Sequence, residues 1–363
     1  MNKPVLLSKM TTLGVGGCAK NFHVIKDSDK IPHILEGYEG DVIVLGEGSN
    51  LCFSDANHDS LFIKLENKGI SVISEDEHSV IVSVSSGENW DDFVKYTISN
   101  DWWGVENMSL IPGSVGACPV QNVGAYGQDC RQVIESVRVF DTNENRFSSI
   151  DSEQCKFGFR SSVFNEVRKT RYIIVSVVFK LSKIAQPCVS RPIVRRAVAS
   201  CTDESLLQSV IRSEIVKERS NGVNLPNDDH LGCSGTFFRT SIVSQSQLFK
   251  VLLKTFLNLG PKTALLVAGF CWKYRSQDGC KLPSKFLINA SGAANIETNS
   301  VFLYPTNPAV LTTRLEKAPT SEEILYVIKS VREIVYKKTG VKVPIEPTLI
   351  GFGDEKVNSI FEL

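Results

Sequence analysis

Short apolar runs broken by glycine dominate the first half of the chain. Asp41 to Leu45 (DVIVL) is one such run, ending in Gly46-Glu47-Gly48-Ser49-Asn50. Leu61 to Leu65 (LFIKL) and Ser79 to Val84 (SVIVSV) follow, and apolar runs of this length and alternation predict strands. After Gly87 the spacing predicts a helix from Trp90 to Ser99. Val133 to Phe140 and Tyr172 to Leu181 (YIIVSVVFKL) predict further strands. Beyond Leu181 the period lengthens toward that of a helix, notably over Glu204 to Arg219, and a third region begins near His230. Its clearest helix is Ser321 to Lys338, where Thr320 precedes an acidic first turn at Glu322 and Glu323, the pattern of an N-cap. Strands and helices alternate too irregularly for a doubly wound sheet, so the expected class is α+β.

Size and charge refine this only slightly. A chain of 363 residues exceeds one small core and fits two or three domains. Lys plus Arg and Asp plus Glu both number 40, so the formal net charge is zero. That speaks against a nucleic-acid or anionic-membrane partner, either of which needs a concentrated basic surface. A small anionic ligand needs only a few local cations and stays open. No uninterrupted apolar run reaches the roughly 18 residues of a membrane span. The opening MNKPVLLSKMTTLGVGG lacks the apolar stretch and cleavage site of a signal peptide. The ten cysteines are scattered and form no C-x-x-C pair, so no metal site is expected. Cys233 lies in a motif treated below and reads as a small buried thiol. Reduced thiols in a cytoplasmic protein follow from these readings.

Two glycine-rich stretches carry the candidate chemistry. In Gly46-Glu47-Gly48-Ser49-Asn50, directly after a strand, glycine lets backbone N–H groups turn toward an anion, and Ser49 and Asn50 add side-chain donors. The second runs from Ile111 to Gly127 (IPGSVGACPVQNVGAYG), and its small residues and prolines predict a rigid loop. Neither has the spacing of a dinucleotide-binding or P-loop motif, and no strand–GxGxxG–helix unit occurs.

Together, LGEGSN followed by IPGSVGACPVQNVGAYGQ resembles the FAD-binding half of the UDP-N-acetylenolpyruvoylglucosamine reductase (MurB) family. Further matches run in order through TTLGVGG at Thr11, CKFGFRSSVF at Cys155, GCSGTFF at Gly232 and GVKVPIEP at Gly340. The resemblance implies a two-part FAD-binding domain of the vanillyl-alcohol-oxidase type and a C-terminal α+β substrate domain. The expected boundaries are FAD-binding subdomains over 1–70 and 71–229, a substrate domain over 230–346, and a segment 347–363 returning to the first subdomain. It implies noncovalent FAD, with Gly46, Glu47, Gly48, Ser49, Asn50, Pro112, Gly113, Ser114, Val115 and Gly116 around the pyrophosphate. Gln121, Asn122 and Gly124 would line the flavin. NADPH is the implied electron donor, and an enol ether on a UDP-sugar the implied substrate. The family uses a serine hydroxyl as proton donor, with an arginine and a glutamate stabilising the enolate-like intermediate.

Arg160 in FGFRSS matches the arginine. The family serine is replaced by Thr236 in Gly235-Thr236-Phe237, and its second acid in L-E-P-E by Thr348, leaving Glu346 two residues away. Ser234 is expected to face away from the Thr236 side. A family lysine is lost at Asn224-Leu225-Pro226-Asn227, Thr240 replaces an asparagine, and Arg191 stands where one subclass has a capping tyrosine. The stretch Asn299 to Pro305 replaces a glycine-rich one, while Tyr126 is kept. The candidate catalytic residues are therefore Arg160, Thr236 and Glu346, and the candidate substrate contacts Tyr126, Arg191 and Thr240. Departures concentrated around one pocket point to a different, anionic small substrate, since specificity rests on paired polar groups. The alternatives are the orthodox reduction, with Thr236 as acid and Glu346 as carboxylate, and a catalytically silent flavin-binding protein. Nothing in the sequence identifies an oligomer.

Overall fold

The computed structural model describes residues 4–165, 170–276 and 279–361, so the outermost ends of the expected first and last domain ranges lie outside the described residues. In chain order the strands used below are β1 (Cys18–Ile25), β2 (Val42–Leu45), β3 (Leu51–Phe53), β4 (His58–Leu65), β5 (Ile70–Glu75) and β6 (Ser79–Ser85). They continue as β7 (Ile134–Asp141), β8 (Arg146–Asp151), β9 (Tyr172–Ser182), β10 (Leu231–Cys233), β11 (Ser241–Val243), β12 (Gly279–Leu282), β13 (Val301–Leu303), β14 (Leu311–Arg314) and β15 (Thr348–Ile350). The helices are α1 (Trp90–Ser99), α2 (Pro192–Ser200), α3 (Leu207–Ser220), α4 (Gln245–Lys273), α5 (Ser284–Ser291) and α6 (Ser321–Thr339). The expected α+β class is what this mixture gives.

The described residues fall into two compact units. One comprises Met1–Val5, Ala19–Gly48 and Asp59–Asn221, and the other Leu6–Cys18, Ser49–His58 and Gly222–Leu363. In the first, β5 to β9 form an antiparallel sheet of order β8-β7-β9-β6-β5, with Val177 opposite Val84 and Phe179 opposite Val82. The alternation of SVIVSV has its expected meaning: Val80, Val82 and Val84 are buried and the intervening residues are not. They share a core with Trp90 and Phe93 of α1, and the Phe93 ring lies 4.8 Å from that of Phe179. Strand β9 is apolar almost throughout because it serves two cores. Ile174, Val177 and Phe179 join this one, while Ile173 and Val175 join Val42 and Ile63 of the parallel pair β2 and β4.

The second unit packs α4, α5 and α6 around one apolar core. Helix α6 contributes Ile324, Val327, Ile328, Val331 and Val335, the 3.6-residue stripe read from sequence. Its start is the expected cap: the Thr320 hydroxyl accepts from the Glu323 N–H, and the Glu323 carboxylate accepts in return from the Thr320 N–H, both at 3.3 Å. Gly340, at φ 75°, ends it. Strand β15 pairs in parallel with β3, Thr348 opposite Leu51.

Helix α4 differs from the sequence expectation. It spans 29 residues, and by length and composition it is the one helix among the described residues long and apolar enough to cross a membrane. Counting uninterrupted apolar runs overlooked it because Lys250, Lys254 and Lys262 punctuate the stretch. It is also broken within: Gly260 leaves helical geometry at φ 84° and ψ 171°, directly before Pro261. Glycine alone reaches that φ without a Cβ penalty.

Candidate active site

In the first unit the two glycine-rich stretches converge. A Cβ placed on Gly46 would lie 3.1 Å from the Ser114 Oγ and 3.4 Å from the Ala117 Cβ. One on Gly116 would lie 2.5 Å from the Ser86 Cβ. A side chain at Gly46 would thus crowd the Ser114 hydroxyl and one at Gly116 would clash with Ser86, and Leu45, Gly46, Ser114, Gly116 and Ala117 line one narrow cleft. A separate depression around Tyr38 and Arg171 carries none of the motif residues. Gly48 takes φ 64°, and among the described residues no hydrogen bond uses the N–H of Glu47 or Gly48. Two such donors beside a left-handed glycine fit an anionic group such as a diphosphate. The second loop is built differently. Its Val115, Gly116 and Ala117 N–H groups donate to the carbonyls of Glu88, Ser86 and Ser114, at 2.8 to 3.0 Å. Close backbone approach and the Ser114 hydroxyl are therefore what it offers a ligand.

Helices α1 and α3 hold this loop from outside. The Trp90 N–H donates to the Gly113 carbonyl at 2.9 Å. Arg212 of α3 makes paired bonds of 2.7 and 2.8 Å to Asp91, whose Oδ1 also accepts the Leu110 N–H. Burial raises the Asp91 pKa, but Arg212 and the Leu110 N–H outweigh it and hold the carboxyl down at about 2. One α3 heptad later, Arg219 donates to the Leu110 carbonyl at 3.1 Å.

The stretch after it carries Asn122 and Gly124, and Arg160 is seated on it. The guanidinium donates to the Gly124 carbonyl at 2.9 Å and to the Asn122 carbonyl at 3.4 Å. Asn122 is buried, donates to the Gly158 carbonyl and accepts from the Arg131 N–H, both at 3.0 Å. Gln121 is half-buried beside it. Leu110, Asn122, Tyr126, Lys156 and Arg160 all have positive φ, a conformation that costs side-chain-bearing residues energy and gathers where loops are shaped for function. The Tyr126 hydroxyl is half-buried, which raises its pKa against the opposing pull of Arg219. Arg191 is exposed at the N-cap of α2.

Beneath the Tyr126 turn lies a buried network absent from the sequence reading. The Glu106 carboxylate accepts from Gln128 Nε2 at 2.6 Å and from the Gly104 N–H at 2.8 Å. Burial raises its pKa, the hydrogen bonds notwithstanding. The Asn107 amide donates to the Tyr126 and Cys188 carbonyls at 3.1 and 3.0 Å, tying two candidate substrate segments together. No local motif marks Glu106 or Asn107; apart from the Gly104 N–H, the partners named here lie about twenty residues or more along the chain.

The second unit holds Thr236, Thr240 and Glu346. Gly235, at φ 73°, turns the chain so that Ser234 is buried and Thr236 exposed, which agrees with the opposite orientations expected. Phe237 and Phe238 anchor the turn, both N–H groups donating to the Ala309 carbonyl at 2.8 and 2.9 Å. Opposite runs 344–346, with Phe238 bridged to Ile345 and the Glu346 N–H donating to the Phe237 carbonyl at 2.8 Å. Glu346 is thereby cross-strand from the residue next to Thr236. Thr348 is instead tied by its N–H to the Asn50 carbonyl at 3.1 Å, and Ser49 also belongs to this unit. Arg239, which follows Phe238, was not singled out from sequence; its Nε is buried without a partner among the described residues. Two departures read separately in sequence are joined here: Tyr304 Oη donates to the Gly222 carbonyl, and Asn307 to the Asn224 carbonyl at 3.0 Å.

Among the described residues no cluster of His, Cys, Asp and Glu could hold a metal, and none of the ten cysteines is in a disulfide. Residues 26–147 match the FAD binding domain family. Over 347 residues the chain is 31% identical to the UDP-N-acetylenolpyruvoylglucosamine reductase of Flavobacterium johnsoniae, covering 95% of this chain and 98% of that protein. It is 32% identical to the Thermobifida fusca reductase of the same name, over 96% of this chain and 97% of the relative. It is 36% identical to that of Neisseria gonorrhoeae, over 68% and 71%. Among solved structures it resembles MurB from Thermus caldophilus, with a TM-score of 0.62 at 17% identity, over 96% of this chain and 98% of that one.

Proposed function

From the premise that the chain belongs to the UDP-N-acetylenolpyruvoylglucosamine reductase family and is an FAD-dependent oxidoreductase, we propose that it reduces the enolpyruvyl ether of UDP-N-acetylglucosamine, with NADPH as electron donor. Bound FAD supplies the hydride chemistry. Gly46 to Asn50 and Pro112 to Gly116 hold its pyrophosphate without covalent attachment, and Gln121, Asn122 and Gly124 line the flavin. Arg160 faces the carboxylate on which charge develops, where a fixed cation in a dry site stabilises the transition state. Thr236 delivers the proton, and Glu346 takes the place of the carboxylate lost at Thr348. Tyr126, Arg191 and Thr240 contact the substrate. On this reading 1–70 and 71–229 are the FAD-binding subdomains, 230–346 the substrate domain and 347–363 a returning segment, in a cytoplasmic enzyme.

The observation that supports this reading is the 2.8 Å bond from the Glu346 N–H to the Phe237 carbonyl, which ties the segment carrying the remaining acid to the turn carrying the one hydroxyl in the proton-donor position. Whole-length relatives bearing the reductase name support it over the different-substrate expectation. That second reading keeps one specific support. The stretches 224–227 and 299–305, both read as departures from the family pattern, lie together through the bonds of Tyr304 to Gly222 and of Asn307 to Asn224.

The test is anaerobic. NADPH is added to the yellow protein, then UDP-N-acetylglucosamine enolpyruvate, while flavin absorbance is followed. Bleaching followed by fast recovery is expected. Bleaching without recovery would sink the proposed reaction and favour another acceptor. No bleaching would remove NADPH as donor. A flavin that remains with acid-denatured protein would overturn noncovalent binding.

A further inference from the structure

Helix α4 is two halves that turn back on each other at Gly260, so that Val243 before it and Arg275 after it pair with the same Cys280, and each half has one side in the core and one without a partner among the described residues. Val251, Thr255, Val267 and Cys271 face the core with α6 behind them. The other sides present Phe249, Phe256, Leu257, Leu265, Leu266 and Trp272 to solvent, with Phe249 76%, Leu265 73% and Trp272 86% exposed. Only 17% of the most apolar 18-residue window is buried. Exposed apolar side chains gathered in this number on two adjoining helical halves mark a contact site rather than ordinary solvated surface.

Charge decides what covers it. From His230 to Gln277 the sequence holds no aspartate or glutamate, yet it carries Arg239, Lys250, Lys254, Lys262, Lys273 and Arg275. Lys254 is turned toward α6, its Nζ 4.8 Å from the Tyr336 ring centre. Lys250, Lys262, Lys273 and Arg275 are exposed around the apolar face. A second copy docking face to face would bring these cations together, which is repulsive. An anionic lipid surface instead accepts the apolar residues among its acyl chains and the cations at its headgroups, with Trp272 and Tyr274 suited to the boundary. The helix cannot span: Gly260 splits it into halves each short of the roughly 20 residues required, and its other face is committed to the core.

We propose that the solvent face of α4 is a peripheral membrane-docking surface, lying in the plane of an anionic bilayer and holding the enzyme there reversibly. The test uses full-length, FAD-loaded protein in flotation with vesicles of phosphatidylcholine alone or mixed with phosphatidylglycerol. Flotation is expected only with the mixed vesicles, fading as salt is raised. Trp90, Trp102 and Trp103 are buried, so a blue shift of tryptophan emission on binding should vanish in Trp272→Phe. Lys262→Gln with Lys273→Gln should weaken binding on the order of twentyfold. Leu265→Ser with Leu266→Ser should abolish it, with flavin absorbance and NADPH oxidation in buffer unchanged. Absence of flotation with anionic vesicles, equal flotation with neutral ones, or undiminished binding of the lysine variant would overturn the proposal. A concentration-dependent dimer dispersed by Leu265→Ser would overturn it equally, by giving the face to a second copy.

Discussion

A threonine hydroxyl is about as acidic as a serine hydroxyl, so the substitution at Thr236 changes placement more than proton affinity. The added methyl restricts χ1, and Gly235 at φ 73° sets the direction from which the side chain starts. Thr236→Ala is expected to slow reoxidation of reduced flavin by substrate by about 10²–10⁴-fold while leaving reduction by NADPH intact. Thr236→Ser should keep or raise the rate. Stopped-flow absorbance separates the two half-reactions, and equal losses in both would assign Thr236 a structural role. At this scale the sequence names candidates where residues sit in contiguous motifs: Asn122, Arg160, Thr236 and the glycines lie in loops whose spacing singles them out. It was silent on Glu106, Asn107 and Arg239, whose roles come from partners distant in sequence or from burial, neither of which leaves a local pattern.

Helix α3 shows how an element positions a loop it does not contain. Arg212 and Arg219, one heptad apart, grip the backbone around Leu110, which is held at φ 59° just before the glycine-rich turn. Asp91 is largely shielded, and its carboxyl is lowered from 3.8 to about 2. A depressed carboxyl contributes stability that is present above its unfolded pKa and lost as pH falls through the folded one. The window is therefore about pH 4 down to 2, and the contribution roughly 2 kcal/mol. Urea unfolding at pH 6, 4 and 2.5 should show that loss in the parent chain and a flatter response in Asp91→Asn. Parallel curves would mean the pair contributes nothing net. Helix α6 was readable because one apolar stripe and one cap agree, and β9 because a strand serving two cores is apolar almost throughout. Helix α4 was not, since the break at Gly260 interrupts its helical period and scattered lysines break the run.

Across the whole molecule the same blurring affects charge. Forty cations and forty anions cancel in the sum, yet the sequence from His230 to Gln277 carries cations only, so a neutral total hid a basic surface. Cofactor binding acts at this scale too. FAD at about a hundred times its dissociation constant should add about 2.7 kcal/mol to unfolding, so stripping it should lower the thermal midpoint followed by circular dichroism, and re-addition restore it. An unchanged midpoint would mean that the flavin is not linked to folding. Both compact units are stitched from separated stretches, and β3 takes β15 as its parallel partner from almost the far end of the chain. On the ribosome, Leu51 to Phe53 wait for the whole intervening stretch of chain to be made before Thr348 to Ile350 exist to pair with them. Such late closure makes for slow folding and a long-lived unpaired edge, the condition under which nascent chains recruit chaperones or aggregate. A message truncated anywhere between codons 53 and 348 would thus leave β3 without its parallel partner and the second unit incomplete.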